Sequence, residues 1–233
     1  MCLITFKWST SPARLELWAN RDEFYARPSE PAALWPGDQI WAGRDLQAGG
    51  TWLALARGGR MAALTNIRDP RAPTGNRSRG DLVLGFVQSQ LAPEDYLAGI
   101  DRAQFGGFNL LMLDRGRLVF ADSRGQTQAL NDGVYGLSND SLNTPWPKTQ
   151  AVMQAWQTDT VEQAMGDRQT YPDNQLPNTG VPLEWERRLS AAFIESEDYG
   201  TRALTWVRYQ DGEFEARETS FGPLTGRRVL TGF

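Results

Sequence analysis

The sequence predicts an α+β protein in which two antiparallel sheets pack together and helices cover their outer faces. Three observations carry this expectation. Short apolar runs alternate with turn residues and pair as sequence neighbours, which is the pattern of hairpins. Helical periodicity appears in about three places and does not alternate regularly with strands, which argues against a parallel sheet. Glycine and proline are abundant, at 23 and 13 residues, as a turn-rich chain requires.

The elements follow in order. Residues 1–23 read as a hairpin: a strand behind Cys2, a turn from Ser9 to Arg14 with Pro12, and a return strand ending in Asn20, Arg21, Asp22 and Glu23. Phe24 to Asp38, rich in proline and acidic residues, reads as loop. Thr51 to Ala56 and Arg60 to Thr65 form a second hairpin around Gly58 and Gly59. The second run ends at Asn66, and Arg71 to Arg77 is a polar loop. Ser78 to Leu91 reads as a helix, with Ser78 as cap and Asp81 in a box-like position. Leu82, Phe86 and Val87 then share one face. Pro93 and Asp95 start a second short helix. Phe108 to Leu113 and Leu118 to Ala121 are strands joined at Arg115–Arg117, and Val134 to Ser138 is another strand, ending at Asn139. Pro147 to Gln157 is helical, Thr158 to Thr179 is a polar excursion, and Pro182 to Ile194 is again helical. The chain closes with a hairpin from Ala203 to Phe221 that turns at Gln210–Gly212.

The bulk numbers narrow the function. The 233 residues suit one domain spanning 1–233, with no repeat or linker. Apolar content of 40% and charged content of 22% are ordinary for a soluble protein. A net charge of −4 argues against a nucleic-acid groove. One cysteine excludes an internal disulfide framework. No run approaches the roughly 20 apolar residues of a membrane helix, and no signal sequence is read. The expectation is a reduced, cytoplasmic protein, not integral to a membrane, that binds no nucleic acid. The absence of histidine is the sharpest count. It removes Ser-His and Cys-His pairs, histidine-ligated zinc and a histidine haem ligand. No metal site is expected.

Cys2 is then the residue of interest. Once Met1 is removed, it carries both a thiol and a free α-amine. Such an amine titrates at about 7.7–8.0 in model compounds and can take the proton of its own side chain. The competing reading is a small buried apolar group at a strand start.

The motifs point to a family. Met-Cys followed by Ala-Asn-Arg-Asp-Glu resembles the NRDE family, also called the transport-and-Golgi-organisation protein 2 family. So do Leu64 to Pro70, Ser78 to Gly80, Gly107 to Asn109, Tyr135 to Asn139 with Leu142 to Lys148, and Tyr199 to Arg202. The family is in turn similar to N-terminal-nucleophile hydrolases of the bile-salt-hydrolase and penicillin-V-acylase kind. That similarity implies a four-layer α-β-β-α sandwich and a hydrolase of non-peptide amide bonds.

Residue by residue, the resemblance implies Cys2 as nucleophile, Arg21, Asp22 and Arg202 holding it, and Asn139 at the oxyanion. It implies Asn20, Glu23, Asn66 and Asn109 on the substrate side. The hydrolases space their arginine and aspartate three apart, so either Asn20 and Glu23 or Arg21 and Asp22 fill those places. The alternatives from the residues alone are an ion-pair network for Arg21, Asp22 and Arg202 and strand-end turns for Asn66 and Asn139. Arg79 and Asp81 read as helix-start residues. Trp18, Trp41, Trp52 and Trp146 read as core.

A second function comes from another class: a carrier of haem or a lipid metabolite on the same scaffold. No resident cofactor is expected in either case, but haem is allowed as a carried ligand. The expected partner is a small hydrophobic or haem-like molecule, and a homo-oligomer is left open.

Overall fold

Burial on both faces of the first two strands organises the fold. The computed structural model describes residues 2–37, 39–222 and 225–233; Met1, Asp38, Pro223 and Leu224 lie outside that set. Strand β1 (Cys2–Thr10) pairs antiparallel with β2 (Ala13–Phe24) across the turn at Ser11 and Pro12. Ile4, Phe6, Trp8, Leu15, Leu17 and Ala19 enter one core, while Leu3 and Trp18 enter another. A strand with apolar residues at both parities needs a layer on each side.

Those layers are present. The first sheet has the order β10 (Gly133–Leu137), β1, β2, β11 (Tyr199–Gln210), β12 (Glu213–Ser220) and β13 (Gly226–Leu230). The second runs β3 (Ser29–Leu34), β4 (Ile40–Asp45), β5 (Leu53–Ala56), β6 (Arg60–Asn66), β7 (Phe108–Asp114), β8 (Arg117–Asp122) and β9 (Thr127–Ala129). Phe6, Leu17 and Phe214 of the first sheet share a core with Leu55, Leu111 and Phe120 of the second. Each fully buried side chain of this size contributes about 1.5–3 kcal/mol by leaving water.

Helices α1 (Gly80–Gln88) and α2 (Pro93–Ala98) cover the second sheet, with Phe86 and Leu97 against Ala62 and Leu110. Helices α3 (Pro147–Gln154) and α4 (Val161–Met165) cover the first, with Val152 and Met165 against Leu3 and Trp18. Helix α5 (Leu183–Arg188) stands near the end of β11, where Trp185 packs on Tyr199. The architecture is the four-layer α-β-β-α sandwich.

Several elements differ from the sequence reading. Strand β3 lies inside the segment read as loop. It carries Pro31, which an edge strand with a register irregularity between Glu30 and Ala33 accommodates. Strand β4 has four buried residues in succession, so it shows no alternation to read. Helix α1 starts at Gly80 with Arg79 at the N-cap, and Ser78 Oγ accepts from the Gly80 N–H at 3.2 Å. The expected capping box therefore does not form. Helix α5 ends at Arg188 rather than Ile194, because the chain must turn back toward β11. The excursion from Thr158 to Thr179 contains α4, whose five residues are too few to show a period. Among the described residues, no helix is long and apolar enough to cross a membrane.

Candidate active site

The register of the first hairpin sets the site. Cys2 lies directly opposite Arg21. Residues of one parity on β2 face the second sheet and those of the other face the helices. Arg21 therefore shares the Cys2 side, and its guanidinium lies 4.2 Å from the ring centre of Trp52, the residue just before β5. Asn20 faces the helices, where its Nδ2 donates to the carbonyls of Met165 and Ala192, both at 2.8 Å. It is a buried tie between β2 and the helical layer and is not among the cavity residues. Asp22 is 1% exposed, and its Oδ1 accepts from the Thr201 hydroxyl at 2.7 Å.

A cavity of about 240 Å³ opens at this end of the sheets. Cys2, Arg21, Asp22, Glu23 and Asn66 line it, as do Arg27, Asp45, Trp52, Arg77 and Arg79. Burial pushes the Cys2 thiol above its ordinary value, Asp22 and Glu23 push the same way, and Arg21 opposes them. The thiol is thus held in its protonated form near neutrality and needs a base before it can attack.

Arg202 sits in a β-bulge, where the pairing of β11 with β2 shifts between Thr201 and Ala203. Its Nη1 donates to the carbonyls of Phe24 at 3.0 Å and Arg27 at 3.1 Å. It clamps the turn after β2 and so fixes Arg27, which does line the cavity.

The asparagines stitch the two sheets together. Asn139 Nδ2 donates to the Asn66 carbonyl at 3.0 Å, and Thr65 Oγ1 donates to the Ser138 carbonyl at 2.6 Å. Asn109 Nδ2 donates to Thr65 Oγ1 at 2.9 Å and to the Asp140 carbonyl at 2.7 Å. Of these three asparagines, only Asn66 lines the cavity. The others hold β6 and β7 against the end of β10.

Sequence reasoning missed four contributors. Arg79 reads as a helix-start residue, yet its side chain lines the cavity and donates to the Gly107 carbonyl at 3.2 Å. Trp52 reads as core but forms the platform under Arg21. Glu218 is 1% exposed and accepts from the Ala32 N–H at 2.7 Å; burial pushes its carboxyl up, and the Arg21 charge is among the influences opposing that. Lys148 is 3% exposed, donates to the Leu189 carbonyl at 2.7 Å, and is pushed down to about 8 by burial. A buried lysine or glutamate looks like a surface residue in a sequence, so only the Arg79 motif offered a signal.

The Trp52 platform is itself fixed by Gly43. A Cβ there would collide with Trp52 Cη2 and Cζ2 and would stand 3.2 Å from the Glu30 carbonyl. Gly43→Ala is expected to displace the indole and to cost about 1–3 kcal/mol of stability, read by urea denaturation and near-ultraviolet circular dichroism. Unchanged curves in both would show that the ring yields freely.

The two facing antiparallel sheets with helices on both outer sides define a four-layer α-β-β-α fold, and a cysteine opens its first strand opposite Arg21. The fold matches that of a Caenorhabditis elegans N-acylethanolamine-hydrolyzing acid amidase ortholog, with a TM-score of 0.51 and 11% identity, over 88% of this chain and 92% of that one. Residues 1–222 match the family described as Transport and Golgi organisation 2, and the chain belongs to that family. The mouse Transport and Golgi organization 2 homolog is 34% identical, and the human one 33%, each over 89% of this chain and 88% of the relative.

Proposed function

We propose that the chain is an amide hydrolase of the N-terminal-nucleophile type, acting on a small acyl-amide or thioester. One observation carries this reading: Cys2 opens β1, lines a cavity, and faces Arg21 across the strand pair. In the proposed reaction, removal of Met1 frees the Cys2 amine. That amine takes the thiol proton as sulfur attacks the carbonyl carbon. The new C–S bond forms, the C–N bond breaks, and the proton passes to the leaving amine. Water then attacks the thioester, releasing the carboxylic acid and restoring the thiol.

Arg21 orients Cys2, while Asp22 and Arg202 act behind it through Thr201 and the turn at Arg27. An amide N–H aimed at a developing oxyanion is worth about 2.7–4 kcal/mol in a well-measured case. Asn66 is the better candidate for that donor, because Asn139 already gives its Nδ2 to a carbonyl.

The test has two parts. Intact mass of protein from its native host is expected to lack Met1. Cys2→Ala and Cys2→Ser are expected to abolish cleavage of an acyl-amide and thioester panel while leaving thermal unfolding unchanged. Turnover surviving in Cys2→Ala ends this proposal. The carrier reading would use the same thiol for haem or a lipid metabolite. It is less well supported, since about 240 Å³ falls below the roughly 300–1,000 Å³ of pockets that enclose drug-sized ligands. A saturable Soret shift lost in Cys2→Ala, with no hydrolysis of the panel, would favour it.

A further inference from the structure

The cations around Cys2 are not all matched by anions. Arg27 is neutralised by Asp45 at 2.7 Å, with Glu23 at 3.8 Å. Arg77 meets Asp81 at 3.4 Å. Arg21 and Arg79 are different. Among the described residues, the Arg21 side chain forms neither an ion pair nor a hydrogen bond; the residue is 5% exposed, its guanidinium stacks on Trp52, and its Nη1 is buried without a partner. Arg79, also lining the cavity, donates only to the Gly107 carbonyl and forms no ion pair among the described residues. A desolvated guanidinium without an acceptor is costly, and a planar oxyanion is the group whose geometry satisfies it.

The size of the cavity sets where that oxyanion sits on a ligand. The cavity is about 240 Å³ and its wall is mostly charged and polar side chains, so the part of a ligand it encloses is short and polar. Its apolar surface is limited, with Trp52 and Leu64 the larger apolar side chains. An apolar acyl chain would therefore leave through the mouth, and the fragment inside would be the polar one.

We infer that Arg21 and Arg79 form a subsite for an oxyanion, carboxylate or phosphate, carried close to the scissile bond on the amine side of the substrate. This rests on the hydrolase reading only for the word substrate; the subsite itself is a statement about binding. The substrate class is then an N-acylated amino acid or amino phosphate rather than a neutral amide. Charge-assisted, bidentate hydrogen bonds from guanidinium to oxyanion are the strong members of their class.

The test uses the full-length Cys2→Ala protein, which cannot turn substrate over. Calorimetric titration compares N-octanoylglycine, N-octanoyl-phosphoethanolamine and the neutral N-octanoylethanolamine. At least one anionic probe is expected to bind tenfold or more tightly than the neutral one, and the stronger of the two identifies the oxyanion. The preference is expected to vanish when Arg79→Gln is added and to survive in part with Arg79→Lys, with thermal melts confirming that both variants fold. Equal affinity for all three probes, no binding by either anionic probe, or a preference untouched by Arg79→Gln overturns the subsite. The same probes with unmodified protein separate the two ideas. Anion preference without cleavage removes the hydrolase and keeps the subsite; cleavage without preference does the reverse.

Discussion

Glu186→Ala is expected to lose about 3–5 kcal/mol of unfolding free energy, the typical result of removing one partner of a buried ion pair. The Arg68 guanidinium meets Glu186 Oε2 at 2.5 Å, with side chains 5% and 3% exposed. Glu186 Oε1 also accepts from the Thr179 N–H at 2.8 Å and its hydroxyl at 2.6 Å. Burial pushes Arg68 down, and Glu186 is the strongest influence holding it up. Without the carboxylate, the charge of Arg68 would remain in a dry site, over the Trp146 ring at 4.8 Å. Against a total stability of about 5–15 kcal/mol for an ordinary domain, such a loss is large. Urea denaturation reads it directly; a change below about 1 kcal/mol would mean that water reaches the guanidinium. The consequence extends to the cavity. Arg68 follows Asn66 by two residues, and its N–H donates to the Asn139 carbonyl at 2.8 Å. Glu186 on α5 therefore anchors the cavity wall that Asn66 forms.

The parts of the fold that declare themselves in the sequence are those whose period matches their burial. The first hairpin, the Gly58–Gly59 hairpin and the last hairpin all combine apolar runs with turn residues, and all three form. Strand β4 is buried on both faces and has no period to detect, while β9 is fully exposed and only three residues long. The site divides in the same way. Cys2 and Arg21 are neighbours because a hairpin register makes them so, and a hairpin register is local information. Arg79 and Trp52 reach the cavity from elements of the second sheet and its helix, which no local pattern predicts. Asn20 reads as one of a run of four polar residues, yet alternation alone turns it toward Met165 and Ala192 and away from Cys2. Four consecutive polar residues at a strand end must divide between two faces, and the division becomes visible only once the partner of Cys2 is known.

The buried charges of Asp22 and Lys148 are expected to be coupled, with opposite pH signatures in the two single variants. Lys148 is the strongest cation acting on the Asp22 carboxylate, and Asp22 the strongest anion acting on Lys148; both groups are fully buried. Lys148 stands at about 8 in the folded protein against about 10.4 unfolded. The folded state thus binds fewer protons there, and this share of stability is complete above the unfolded value and lost as pH falls through about 8. Burial raises Asp22, so its share has the opposite sense: present below about 3.9 and lost as pH rises through the folded value.

In Asp22→Asn, Lys148 loses its main anion and titrates lower still, so stability rises with pH across the neutral range more steeply than in the unmodified protein. In Lys148→Met, the carboxylate loses its main cation, and stability improves on acidification. Each single change is expected to cost about 1–3 kcal/mol near neutrality, the cost of leaving a buried polar group less well matched. The double variant, which buries no unmatched charge, is expected to recover up to about 3 kcal/mol of the sum. Urea denaturation of the four proteins at pH 6 and pH 9 completes the cycle. Additive losses with parallel pH dependence would mean that each charge is solvated separately. The opposite slopes would tie the ionisation of Asp22, one strand residue from Arg21 and the Cys2 pair, to a lysine delivered by the helix on the far side of the sheet.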